Sequence, residues 1–154
     1  MAARSGKRPP KRAARKAADP VASWREGSDQ LELLAGETSQ ALAAGQLPRA
    51  RKAFGEYKAL LEKHLAHEED VSFPLAEKVA PAQGGPIKSL RVAHIGIRRD
   101  LEQVATHLAA GHEDAARAVF AAFLESFGAH ERLEDQLIEL LAKSRGTGPG
   151  ARSR

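Results

Sequence analysis

Two short stretches of this chain set an imidazole and a carboxylate one helical turn apart: His64 with Glu68, and His130 with Glu134. Each pair interrupts an apolar stripe. One stripe runs Phe54, Tyr57, Leu61, His64, Glu68, Val71, and the other Phe120, Phe123, Phe127, His130, Glu134, Leu137. Steps of three or four residues place each set on one face of a helix, turned toward a core. A carboxylate in a core is costly unless it is paired or binds a cation. The chain has no cysteine, which excludes disulfides, thiolate ligation and a cysteine nucleophile. Any metal here must therefore be held by imidazole and carboxylate. Two His/Glu pairs facing one another supply what a carboxylate-bridged metal centre needs, and His94 adds a third imidazole on the stripe His94, Ile97, Leu101, Val104, Leu108.

Four helices can position these residues. Ala, Leu, Glu, Arg and Lys dominate while β-branched and aromatic residues are sparse, so the expected class is all-α. Asp19-Pro20 supplies an N-cap and a first-turn proline for a helix reaching Gly45. A second helix starts near Pro48 and ends before Pro81, a third runs from Pro86 to Gly111, and a fourth from Glu113 to Ser144. Helices of this length with short connections pack as an antiparallel up-down four-helix bundle. Pro74 should bend the second helix just past its ligands.

The sequence repeats itself at an offset of 66 residues without a gap. Pro20 falls on Pro86, Arg25 on Arg91, Leu31 on Ile97, Leu42 on Leu108 and Gly45 on Gly111. In the second and fourth helices Phe54 falls on Phe120, Tyr57 on Phe123, Leu61 on Phe127, His64 on His130 and Glu68 on Glu134. The bundle thus reads as two helical hairpins about a pseudo-two-fold axis, with matched positions facing a common centre.

The segments KHLAHEEDVSFP and AHERLEDQLIEL resemble the paired His-x-x-x-Glu-Glu elements of the hemerythrin-like (HHE cation-binding) family, and Phe73-Pro74 is also typical. The resemblance covers roughly residues 20 to 143. It implies a hemerythrin-like bundle with a non-haem iron centre of two ions, or one, and an oxo or hydroxo bridge where there are two. In that scheme His64, His94 and His130 are nitrogen ligands and Glu68 and Glu134 bridging carboxylates. Asp135 rivals Glu134, because oxygen-carrying members place their carboxylate five residues after the fourth-helix histidine.

The chain departs from the family on its first helix, where members carry a histidine and the repeat points to Ser28. Asp29 or Glu32 could supply an oxygen there, or water. Arg98 stands one turn after His94, where oxygen carriers have a second histidine, so reversible oxygen transport is not expected. Of the remaining polar residues, His67 reads as surface or as a donor to a ligand, His107 and His112 as exposed, and Glu69 and Asp70 as a solvated acidic face. Tyr57 reads as core with a hydroxyl within reach of the centre. Ferritin-like Glu-x-x-His, the His-Glu-x-x-His of zinc proteases, a phosphate-binding glycine loop and a Ser-His-Asp arrangement are all missing from the sequence.

The net charge of +4 is segregated. Residues 1–19 carry +6 and residues 145–154 carry +3, leaving −5 on residues 20–144. Both ends read as disordered basic tails, and the first could touch nucleic acid weakly. With no apolar run of spanning length and no secretory signal, a cytoplasmic location is expected. The expected function is to bind or sense iron, dioxygen, peroxide or nitric oxide. The alternatives are an enzyme consuming peroxide or nitric oxide, and a metal-free helical interaction or regulatory module. No catalytic residue is assigned.

Overall fold

A computed structural model describes residues 24–146 of the chain. Both basic tails fall outside the described residues, apart from the helical end at 145–146, as do Pro20 and its proposed helix start. Helix α1 spans Ser28–Ala43, α2 Leu47–His67, α3 Phe73–Val79, α4 Gly84–Ala110 and α5 Glu113–Gly146. A π-helical turn, Glu68–Ser72, joins α2 to α3, and a 3₁₀ turn, Pro81–Gln83, leads into α4. There are no strands among the described residues. Helix α1 packs on α2 and α4 on α5, and the ring closes through α2 with α4 and α1 with α5. This is the expected four-helix bundle, its second helix being α2 and α3 run together.

The two hairpin turns are copies of one another. Gly45 and Gly111 both take left-handed backbone, with φ of 68° and 76°. Just after them Gln46 N–H donates to the Ala41 carbonyl and His112 N–H to the His107 carbonyl, each at 2.9 Å. These are matched positions of the repeat, and each bond satisfies a carbonyl that the helix end leaves without an internal partner. Arg51 of α2 ties the hairpins together, donating to the Leu108 and Ala109 carbonyls at the end of α4.

The repeat fails at two places, and both shape the centre. Before α1, Gly27 has φ of 89°, so the helix starts at Ser28 and the residues ahead of it leave its axis. The expectation of one continuous helix through this point is therefore corrected. Only a glycine takes that backbone freely, and the break swings Trp24 into the core, where it is 3% exposed.

The second failure lies past Glu68. In a regular helix the Pro74 ring would meet the carbonyl of Asp70, four residues back. The wider π turn relieves this, with Phe73 N–H donating to the Glu68 carbonyl five residues back. The extra residue shifts the inward register. Val71, expected inside, is 45% exposed, while Ser72 and Phe73 are buried in its stead.

Buried apolar side chains form two separate clusters. One contains Leu61, Leu65, Ile97, Leu101 and Phe127, and the other Trp24, Phe73, Leu90, Leu137 and Leu141. On α2 through α3, on α4 and on α5 the chain passes from one cluster to the other through a polar residue: Glu68, His94, and His130 with Glu134. The expected inward residues of α4 and α5 are all buried.

Candidate metal centre

Glu68, His94, His130 and Glu134 each turn a donor atom to one point, with these atoms all within 4.8 Å of one another. All four side chains are buried. His130 Nε2 lies 2.6 Å from Glu134 Oε1, and His94 Nε2 lies 3.2 Å from Glu68 Oε2 and 3.9 Å from Glu134 Oε1. Close as they are, none of the facing atoms Glu68 Oε2, His94 Nε2, His130 Nε2 and Glu134 Oε1 makes a hydrogen bond. Buried polar atoms are normally bonded, because an unmet one forfeits its hydration. Four of them around one point, two nitrogen and two carboxylate, match the donor set of a borderline or hard divalent cation. The residues present fit a metal ion.

His64, the fifth expected ligand, stands at the edge. Its Nε2 is 3.0 Å from Glu68 Oε1, and its side chain is 12% exposed. It borders a cavity of about 170 Å³ lined also by Gly27, Leu31, Leu60 and His67.

The surrounding residues aim the imidazole of His94. Its Nδ1 lies 2.8 Å from Glu69 Oε1, and Arg98 grips the same carboxylate with two N–H bonds of 2.8 and 3.1 Å. Arg91 donates to the Glu69 carbonyl and sets its guanidinium 5.2 Å from the Phe73 ring centre. An Nδ1–H held by a carboxylate leaves the Nε2 lone pair free for a ligand, the usual partner arrangement of a metal-binding histidine. Glu69 is thus no part of a solvated face, as its sequence neighbours suggested. The π turn sets the adjacent carboxylates of Glu68 and Glu69 on opposite nitrogens of one ring. Arg98 has a role that its position alone did not disclose.

Trp24 is the other residue that the stripes did not reveal. Its indole N–H donates to Glu68 Oε1 at 3.0 Å, and its ring meets Phe73 edge-on at 5.7 Å. Its one available signal was Gly27 three residues later, a potential break in the helix.

Protons do in part what a cation would do. Burial opposes an imidazolium at His94, yet the carboxylates of Glu134, Glu68 and Glu69 outweigh it and raise the group to about 9. Burial would raise the Glu68 carboxyl, but the nearby imidazoles of His64 and His94 bring it down to about 2. The same Glu68 pairing raises His64 against its own burial.

The remaining expectations sort by exposure. Asp135 points outward to Arg25 at 2.7 Å, with both side chains more than half exposed, so Glu134 is the inward carboxylate of α5. Asp29 and Glu32 are exposed and line, with Ser28, Tyr57 and Glu131, a separate cavity of about 270 Å³. Tyr57 is buried in an aromatic group with Phe54, Phe120 and Phe123. His67 and His112 are exposed, as expected, whereas His107 is half-buried. No helix among the described residues is long and apolar enough to cross a membrane.

No curated protein and no solved structure is significantly similar to the chain. The family model described as the hemerythrin HHE cation binding domain matches residues 22–141, an interval that holds every residue of the centre. With most of its length matched and a buried His/Glu cluster at the middle of a four-helix bundle, this chain belongs to the hemerythrin HHE cation-binding domain family.

Proposed function

We propose that the chain is a non-haem iron protein that binds or senses a small ligand such as dioxygen, peroxide or nitric oxide. Glu68, His94, His130 and Glu134 hold the iron, and His64 flanks it on Glu68. The observation that carries the reading is the convergence of four buried donor atoms that make no hydrogen bonds.

Bound there, iron would supply Lewis-acid and redox chemistry toward such a ligand. The protein's own part is orientation and exclusion of water. Glu69 fixes the His94 ring, Trp24 and His64 fix one oxygen of Glu68, and the apolar clusters on either side keep bulk solvent from the donors. The cavity beside His64 gives a diatomic ligand an approach from the surface.

The test is to load the full chain with iron and follow its visible spectrum as dioxygen, peroxide or nitric oxide is added. A saturable change that reverses on ligand removal supports a binder or sensor. Consumption of many equivalents of peroxide or nitric oxide makes the protein an enzyme instead. An iron-loaded protein indifferent to all three ligands contradicts the proposal.

A further inference from the structure

The two carboxylate oxygens of Glu68 live in different surroundings. Oε2 faces His94 Nε2 at 3.2 Å and accepts no hydrogen bond. Oε1 accepts the Trp24 indole N–H at 3.0 Å and has His64 Nε2 at 3.0 Å. An indole nitrogen donates only; it has no lone pair for a cation. Its N–H directs positive polarity at the side of Glu68 where a second cation would have to sit.

The indole cannot easily move aside. Trp24 is 3% exposed, its ring packs on Phe73, and Phe73 in turn packs on His94 with ring centres 5.3 Å apart. On that side His64 borders a cavity with Glu26, Lys63 and His67, all three exposed, while Asp29, Glu32 and Glu131, also exposed, line the other cavity with Ser28. The four donors that do converge lie on the His94 and His130 side and do not include His64.

We propose that Trp24 closes the second metal position, so that the centre holds one cation, with Glu68 contributing Oε2 alone. Trp24 is then a positioning residue acting through Glu68, and His64 acts on Glu68 rather than on the metal. This inference rests on the reading of the cluster as a cation site.

The experiment is an anaerobic titration of the full chain with ferrous iron. Bound iron per chain is measured by elemental analysis after desalting, and emission is followed from Trp24, the single tryptophan. Iron should saturate at about one per chain, with the emission change complete at that equivalent. Trp24→His, which removes the indole and adds an imidazole, should take up a second equivalent. Trp24→Phe, which keeps a ring against Phe73 and drops the N–H, should take it up more weakly. Two irons per wild-type chain overturn the inference and leave the cation site standing; no iron after reconstitution overturns both. If both variants fold, judged by their helical circular dichroism, and stay at one iron, Trp24 is not what closes the position.

Discussion

Glu69 Oε1 lies 2.8 Å from His94 Nδ1, so a residue that touches none of the converging donors determines how one of them points. The carboxylate is itself anchored by two bonds from Arg98. Partners of this kind typically contribute about 10- to 100-fold in metal affinity. Glu69→Ala should weaken iron binding by roughly that factor, measured by competition with a chromogenic chelator. Arg98→Ala should lose less, because Glu69 keeps its bond to His94. Unchanged affinity in Glu69→Ala would remove the orienting role.

The metal-free protein should lose stability at both ends of the pH scale. His94 is raised from 6.5 to about 9 by its carboxylate neighbours against its burial, so its contribution is complete below pH 6.5 and is lost as pH rises through about 9. Glu68 is lowered from 4.5 to about 2 by its imidazole partners despite burial, so its contribution is present above pH 4.5 and is lost as pH falls toward 2. Thermal unfolding of chelator-treated protein should show a plateau between these limits. Melting temperatures that climb steadily through pH 9 would contradict the pairing.

Adjacent carboxylates on α5 should separate cleanly. Glu134 is buried against His130, whereas Asp135 is an exposed partner of Arg25. Glu134→Ala should abolish tight iron binding. Asp135→Ala should leave it within about twofold and shift stability by less than about 1 kcal/mol, the usual range for an exposed pair. The opposite ranking would mean that α5 presents the wrong face here.

Two glycines should respond in opposite directions to the same substitution. Gly27 has φ of 89° with open space around a Cβ, so Gly27→Ala carries only the left-handed strain, about 1–2 kcal/mol. Gly36 sits within α1, also with open space, and Gly36→Ala should stabilise by about 1 kcal/mol through helix propensity. Urea denaturation of the two variants measures both. A stabilising Gly27→Ala would mean that the break before α1 is not strained.

Periodicity made most of this legible. Stripes of three and four residues placed Phe120, Phe123, Phe127, His130, Glu134 and Leu137 correctly inside, and the offset of the repeat matched the closing bonds of the two hairpin turns, Gln46 to Ala41 and His112 to His107. A repeat cannot disclose where its halves differ, and the centre depends on two such differences. Pro74 announced a distortion but not its form, a π turn that exposes Val71 and brings Glu69 to His94, 25 residues away in sequence. Gly27 and Trp24 lacked the matched partners that gave other positions meaning. Their roles emerge from contacts across 44 residues of sequence, which local pattern does not carry.

The central claim is that the four facing donors constitute a cation site. The most direct measurement is iron content per chain in the wild-type chain and in a His94→Ala, His130→Ala double variant, each reconstituted and desalted in the same way. The wild type should retain iron and melt at a higher temperature when loaded, since an ion that binds only the folded state stabilises it. The double variant should retain none and gain no stability from iron. Equal iron content in the two proteins would contradict the account.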